Sequence, residues 1–169
     1  MPEFIMEGKE LPEFRKLDSF TQGYIQALFF TECEPNTTAD AGQVDDFIRL
    51  WDPETQSSLP GDVGFADLDA DSLARIIKAC QEFQAIYEAD LDTVDGYAHG
   101  RRGETYCREH AGHDFWLTRN GHGAGFWDRY KSSDDQPDVK AAFDRLSDAA
   151  KAKGECWATY GDDGKVYQS

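Results

Sequence analysis

Apolar residues recur at helical spacing in several stretches of the chain, and the first stretch follows Ser19. Its apolar positions lie on one helical stripe: Phe20, Tyr24, Ile25, Leu28 and Phe29. Residues 19 to 22 fit a capping box, in which the Ser19 hydroxyl accepts an early backbone N–H and Gln22 reaches back. Aromatic residues at this spacing are typical of core packing rather than of a cofactor site. We therefore predict a core helix of about three turns that begins at Ser19.

The clearest helical pattern in the chain begins near Asp69. Its apolar residues fall mostly at three- and four-residue steps: Leu73, Ile76, Ile77, Cys80, Phe83, Tyr87 and Leu91. Either Asp69 or Asp71 can cap this helix, because a carboxylate accepts backbone N–H groups there and suits the helix dipole. The pattern predicts a second core helix.

A third helix is predicted from about Thr105 to Asn120-Gly121, a pair that suits the left-handed conformation which closes helices. Glycines then occupy positions 121, 123 and 125, so the backbone can turn tightly. We expect this turn to bring residues 126 to 128 back toward the third helix.

A fourth helix and a hairpin end the chain. Asp138 is predicted to cap a helix that runs to about Lys153, before Gly154, and its apolar stripe is Val139, Ala142, Phe143, Leu146, Ala149 and Ala150. Short segments at 157–160 and 166–167 flank a glycine- and aspartate-rich turn at 161–164, a pattern typical of a β-hairpin. The predicted fold class is α+β, mainly α-helical, with about four helices plus a short C-terminal β-hairpin.

The chain length of 169 residues suits one domain with a core of its own. We predict a partly ordered N-terminal arm over residues 1–17 and a single globular domain over residues 18–169. Residues 32–62 mix acids with turn-forming residues, so we expect a surface segment there. It is predicted to hold a short helix near Asp45 and to be anchored to the core by Trp51.

Negative charge is concentrated in the first part of the chain. The formal net charge is −16, and residues 1–96 hold 21 acids and 6 bases, a balance of −15. Residues 97–169 hold 12 acids and 11 bases, a balance of −1. Solubility alone is one explanation. The other is a partner with a basic surface, which such a field attracts while it repels nucleic acid. The candidate binding residues in this part are Asp40, Asp45, Asp46, Glu54, Asp62 and Asp67.

Chemistry-bearing side chains are densest between Ala111 and Arg129, here called the signature segment (AGHDFWLTRNGHGAGFWDR). It holds two of the four histidines, two of the four tryptophans and four of the fifteen glycines. Polar and titratable groups crowded around a glycine turn are costly to bury without partners, so this density indicates a site or a specially built corner.

Three functional interpretations of the signature segment compete. A metal site would use His110, His113, His122 and Asp128, but their spacing matches no standard zinc motif, and we expect no metal and no cofactor. A hydrolytic or transfer site would use His113 or His122 as a base oriented by Asp114 or Asp128, but no nucleophile motif accompanies it. A nucleic-acid surface would stack bases on Trp116 or Trp127 and place Arg119 and Arg129 on phosphates, which the net charge opposes.

The structural interpretation of the same residues is favoured. It is an ion-paired corner made by Asp114, Arg119, Asp128 and Arg129. Four apolar side chains are then expected in the core: Phe115, Leu117, Phe126 and Trp127.

Residues 112–129, GHDFWLTRNGHGAGFWDR, resemble the signature of a family of small uncharacterised proteins of bacteriophages and prophages. A fainter resemblance extends over roughly residues 63–167. The resemblance implies a phage-encoded protein and, with it, a place in the host cytoplasm. It implies no particular activity.

Origin and charge together predict an acidic accessory protein that binds a host macromolecule. Its sharpest form is a nucleic-acid mimic with an anti-defence role, occupying the basic groove of a host defence or DNA-processing protein. A binding protein is favoured over an enzyme. The alternatives are a small hydrolase or transferase built on the histidine and aspartate residues, and a nucleic-acid-binding protein.

The remaining features argue against export and membrane insertion. Cys33, Cys80, Cys107 and Cys156 lie far apart without zinc-finger spacing, so we expect reduced thiols in a cytoplasm. No apolar run approaches the roughly 18 residues of a membrane span. The acidic start of the chain is unlike a signal peptide.

Overall fold

Helices make up most of the residues that the structure describes. The computed structural model describes residues 11–33, 51–52, 57–58, 64–100 and 102–169. Their helices are α1 (Pro12–Arg15), α2 (Ser19–Cys33), α3 (Ala70–Val94), α4 (Arg108–Arg119) and α5 (Pro137–Ala152). Their strands are β1 (Trp51–Asp52), β2 (Ser57–Ser58), β3 (Ala158–Tyr160) and β4 (Val166–Gln168). Two 3₁₀ turns occupy Phe65–Asp67 and Phe126–Asp128. This confirms the mainly α-helical α+β fold class with a C-terminal hairpin.

The first core helix, α2, begins at Ser19, but the residue that caps it is Asp18. The Asp18 carboxylate accepts hydrogen bonds from the backbone N–H of Thr21 at 2.9 Å and from its hydroxyl at 2.8 Å. Gln22 reaches back to the carbonyl of Leu17 at 2.7 Å. The predicted capping box is therefore wrong by one residue, because the ionised carboxylate of Asp18 is a stronger acceptor for the orphan N–H groups than a serine hydroxyl. The predicted stripe is confirmed, since all five of its apolar residues are buried.

Helix α2 crosses α4 in direct backbone contact, which two glycines make possible. A Cβ atom on Gly23 would lie 2.0 Å from the carbonyl oxygen of Glu109, and one on Gly112 would lie 1.8 Å from that of Phe20. Neither distance leaves room for a side chain. The histidine- and aspartate-bearing helix is therefore fixed against α2 at a contact that only glycine permits.

An aromatic cluster joins α3 to this helix pair. Phe83 of α3 stacks on Phe115 of α4 with ring centroids 4.2 Å apart, and the centroid of Phe83 also lies 6.2 Å from that of Phe126. Asp69 caps α3 by accepting from the backbone N–H of Ser72 at 3.0 Å, as predicted. The helix changes direction at Tyr87, where φ is −110° and ψ is 22°.

The C-terminal elements follow the predicted order with one change at the start of α5. This helix begins with Pro137, whose missing N–H costs nothing at a first position, and Gln136 precedes it. Asp138 is the second helical residue, so the predicted cap at Asp138 is wrong, although its charge suits the helix dipole. Gly154 ends the helix region with φ at +76°. The predicted hairpin is confirmed, with Ala158 opposite Gln168 in antiparallel register.

The N-terminal part of the described chain joins the core. Helix α1 buries Phe14, whose ring packs edge-on against Phe65 at 5.2 Å between centroids. The predicted helix near Asp45 lies outside the described residues, as does the side chain of Trp51. Within the described ranges, no helix combines the length and apolar character that crossing a membrane requires.

Candidate functional site around the signature segment

The signature segment is closed by an ion pair between Asp114 and Arg129. Arg129 holds the buried carboxylate with both Nε and Nη2, at 2.9 Å to Oδ2 and 2.7 Å to Oδ1. The hydroxyl of buried Tyr106 donates to the same Oδ2 at 2.6 Å. Both carboxylate oxygens therefore have donors within the protein, an arrangement typical of a structural ion pair.

The electrostatics of this pair follow from its burial. Burial raises the pKa of Asp114, while the hydrogen bonds from Arg129 and Tyr106 act in the opposite direction. The hydrogen bond to Asp114 raises the pKa of Arg129, against the effect of burial. The raised pKa of Asp114 favours a neutral carboxyl group, whereas the raised pKa of Arg129 favours a charged guanidinium, so the two shifts disagree about whether the pair is ionised. We favour the ionised pair, because the guanidinium stays charged in proteins and its fork matches a carboxylate.

The glycine turn that follows α4 brings the chain back to the helix, as predicted. Gly121 adopts a φ of +68°, and the next N–H, of His122, donates to the carbonyl of Leu117 at 3.0 Å, which closes the helix end. At the far side of the turn, the backbone N–H of Phe126 donates to the hydroxyl of Thr118 at 3.0 Å. A Cβ on Gly125 would lie 2.2 Å from that hydroxyl, so Gly125 is required for the contact.

The other two members of the predicted ion-paired corner have different roles. Arg119 donates to the carbonyl of Gly154 at 2.9 Å and to the hydroxyl of Tyr24 at 3.1 Å. It thereby ties the end of α4 to the segment after α5. Asp128 is exposed and accepts from the backbone N–H of Gly125 at 3.0 Å, so it caps the 3₁₀ turn. The corner prediction is confirmed for the Asp114–Arg129 pair.

The two tryptophans of the signature segment lie in opposite environments. Trp116 is fully buried and its indole N–H donates to the hydroxyl of Thr31 at 2.7 Å, so it cannot stack on a base. Trp127 is 51% exposed, and its predicted place in the core is wrong. Phe126 is fully buried, as predicted, and its neighbour Trp127 is not, because in a short 3₁₀ turn adjacent side chains point in different directions. Trp127 therefore remains a candidate binding residue.

The histidines in the signature segment and just before it contact different parts of the fold. His113 faces α2, with Nε2 3.3 Å from the amide oxygen of Gln26. His110 faces the loop before α4, and His122 follows the end of the helix. In the part of the chain that the structure describes, no three His, Cys, Asp or Glu side chains are placed to hold a metal ion.

A thiol–imidazole contact at the start of α4 was missed by sequence reasoning. The Sγ atom of exposed Cys107 lies 3.3 Å from Nδ1 of His110, and the ring of His99 lies 4.9 Å from that of His110. A thiol beside an imidazole is the usual arrangement of an activated nucleophile. Here the same Nδ1 also accepts the backbone N–H of Cys107 at 3.2 Å, so His110 caps the helix. The three-residue spacing of Cys107 and His110 was the available signal.

A cleft of about 450 Å³ opens beside Trp127. Its walls include Tyr130, Asp134 and Asp135 from the segment between the 3₁₀ turn and α5. Lys140 and Asp144, which pair with each other at 2.7 Å, line the side formed by α5. The buried residues Phe126 and Phe143 also line the cleft. Its volume lies within the range of roughly 300 to 1,000 Å³ that is typical of ligand sites.

The acidic binding candidates fall mostly beyond the described chain. Asp67 accepts from the backbone N–H of Gly64 at 2.9 Å and so stabilises its own 3₁₀ turn. The other five lie outside the described residues: Asp40, Asp45, Asp46, Glu54 and Asp62.

Comparison with protein-family models, with curated proteins and with solved structures gives no match for this chain. The proposals that follow therefore depend on the geometry and charge of the chain and on the resemblance of residues 112–129.

Proposed function

We propose that the protein is a phage-encoded accessory protein that binds a basic host protein and mimics nucleic acid. The resemblance of residues 112–129 to a phage and prophage family supports the origin. The net charge of −16 supports the kind of partner, since a strongly acidic surface attracts basic grooves and repels nucleic acid. One feature of the described chain carries the proposal furthest, namely the charge at the end of α3.

Three exposed carboxylates follow one another at the C-terminal end of α3: Glu88 and Asp92 lie within the helix, and Asp95 is the residue that ends it, with extended backbone angles. Residues four apart lie on one side of a helix, so Glu88 and Asp92 are neighbours. We call these three residues the α3 acidic row. The last turn of α3 holds no basic residue. Asp92 in the last turn and Asp95 just after it are negative charges at a helix C-terminus, and they therefore oppose the helix dipole. Helix stability therefore gives no reason for the row, whereas a basic partner would.

The spacing of the α3 acidic row resembles that of a nucleic-acid backbone. With a rise of about 1.5 Å per residue, Glu88 and Asp92 lie roughly 6 Å apart along the helix axis, and Asp95 follows where the chain leaves the helix. One strand of duplex DNA carries a charge about every 3.4 Å. The row is partly balanced by Arg108, whose guanidinium contacts Asp92. Exposed pairs of this kind are weak and exchange easily for a partner's cation.

The test compares two variants that remove the same number of charges. The first replaces the row, Glu88→Gln with Asp92→Asn and Asp95→Asn. The control replaces exposed acids elsewhere, Asp148→Asn with Glu155→Gln and Asp162→Asn. Each protein is immobilised and exposed to lysate of a bacterial host, and bound proteins are then eluted with duplex DNA or with salt.

We expect the unmodified protein and the control variant to retain a DNA-binding protein that duplex DNA releases. The row variant should retain much less of it, and retention should fall steeply with salt, because surface charges are screened beyond about 8 Å at physiological ionic strength. Equal retention by the two variants, or a captured protein that duplex DNA does not displace, would contradict the proposal.

A further inference from the structure

We propose that the cleft beside Trp127 is a binding site for an arginine or lysine side chain of a protein partner. This inference rests on the proposed function for the nature of the partner, and it adds the position and chemistry of a specific contact. The site lies in the segment from Phe126 to Asp144, where the charge split along the sequence predicts no binding role.

Charge is the first argument for a cationic ligand. Three aspartates and one lysine line the cleft, Asp134, Asp135, Lys140 and Asp144, so its walls carry two net negative charges. The lysine is already occupied by Asp144 at 2.7 Å. Such a lining attracts a cation and repels a phosphate or a carboxylate.

Aromatic surface is the second argument. Trp127 is one of the few large hydrophobic side chains in the described chain that remain exposed, and it borders the same cleft as the carboxylates. A tryptophan face is the best aromatic surface for a guanidinium or ammonium group. The exposed ring of Pro137 and the partly buried ring of Tyr130, which also line the cleft, can pack against the aliphatic stem of such a side chain, while the charged end meets the aspartates.

The walls of the cleft are held in place before any ligand binds. Asp134 accepts from the hydroxyl of Tyr97 at 2.6 Å, and its carbonyl accepts from the hydroxyl of Tyr130 at 2.8 Å. That same Tyr130 hydroxyl accepts from the backbone N–H of Gln136 at 2.9 Å. A site fixed in this way loses little conformational entropy on binding, which favours affinity.

The chain that follows the α3 acidic row packs against one wall of the cleft. The ring of Tyr97, two residues after Asp95, stacks on the ring of Tyr130 with centroids 5.8 Å apart. Tyr130 lines the cleft, so the end of the row is joined to that wall through packed rings.

The probe is an N-acetylated, C-amidated Gly-Gly-Arg-Gly-Gly peptide, and its neutral control carries citrulline instead of arginine. Binding is followed by NMR through the indole N–H signal of Trp127, which the Trp127→Phe variant assigns. We expect a saturable shift with the arginine peptide and none with the citrulline peptide. The Trp157→Phe variant, which removes another exposed tryptophan, should bind the arginine peptide unchanged.

Two charge variants test the sign of the interaction. Asp135→Asn should weaken binding of the arginine peptide, whereas Lys140→Gln should strengthen it, each by about threefold or more. A ligand with negative charge would respond in the opposite sense to both changes. Circular dichroism before each titration checks that the variants are folded.

Three results would overturn the inference: equal binding of the two peptides, no shift at millimolar arginine peptide, or a Trp127 shift with oligothymidylate in place of the peptide. The peptide assay contains no host protein, so it is separate from the test of the α3 acidic row. Peptide binding combined with equal retention by the row and control variants would overturn the proposed function and leave the cleft in place. If the row variant loses retention but the arginine peptide does not bind, the cleft inference is overturned and the proposed function stands.

Discussion

The carboxylate of Asp114 and the guanidinium of Arg129 meet in a two-pronged ion pair, with nitrogen–oxygen distances of 2.9 and 2.7 Å. Asp114 lies on α4 and Arg129 lies beyond the glycine turn, so the pair locks the returning chain onto the helix. Because Tyr106 supplies a further donor, both carboxylate oxygens are engaged by donors of the protein itself. This arrangement is typical of a structural ion pair.

Asp114→Asn should destabilise the protein by about 3 to 5 kcal/mol, because it strands the partly buried charge of Arg129. Asp128→Asn is the matched control. It removes an exposed cap of the 3₁₀ turn and should cost only about 1 kcal/mol. Urea unfolding of the two variants and the parent measures both values. If the two variants lose similar amounts of unfolding free energy, the buried ion pair contributes no more to stability than the exposed cap does.

The spacing of apolar residues along the sequence predicted the helices and the C-terminal hairpin well. Contacts between these elements were harder to predict. The spacing of Phe20, Tyr24 and Leu28 fixes which face of α2 is buried, since burial of apolar surface dominates folding. The cap moved from Ser19 to Asp18 because neighbouring acceptors compete for the same N–H groups. Local spacing cannot decide such a competition.

The candidate site shows the same limit. Histidine and aspartate density drew attention to the signature segment, and the Asp114–Arg129 pair was anticipated from it. The pairing of Cys107 with His110 and the cleft at Trp127 were not. The cleft depends on where separate segments meet, which tertiary packing decides, whereas the Cys107–His110 contact is local to one helix end and its three-residue spacing was overlooked.

A second prediction concerns the crossing of α2 and α4. Gly112→Ala should prevent native packing or destabilise it severely, because the added Cβ would lie 1.8 Å from the carbonyl oxygen of Phe20. Gly123→Ala is the control within the same segment, where a Cβ meets nothing within 4 Å, and it should leave stability nearly unchanged. Thermal melts followed by circular dichroism compare the two. A cooperative melt of the Gly112 variant at the parent temperature would disprove the close crossing.

A third prediction follows from His99. Burial lowers its pKa below the ordinary value of 6.5, and His110 and Arg129 lower it further. The unfolded chain therefore binds a proton at a higher pH than the folded chain does. Stability is full above about pH 6.5 and falls as the pH drops from there toward the lowered pKa of the folded state.

Replacing His99 with phenylalanine should keep its ring contact with Tyr106 and remove this loss. The measurement is the unfolding free energy of parent and variant at about pH 7.5 and about pH 5.5. The variant should lose less stability between the two conditions. An identical loss in both proteins would assign the pH dependence to other groups.

The last prediction separates the two aromatic neighbours of the 3₁₀ turn. Phe126 is fully buried and packs against Phe83, so Phe126→Ala leaves a cavity and should cost about 3 to 5 kcal/mol. Trp127 is half exposed, and Trp127→Ala should cost less than about 1 kcal/mol. Urea unfolding measures both. If the exposed ring of Trp127 contributes so little to folding stability, a contact with a binding partner is the better explanation for its position. If Trp127→Ala instead proves as costly as Phe126→Ala, the ring belongs to the core and the cleft loses its aromatic wall.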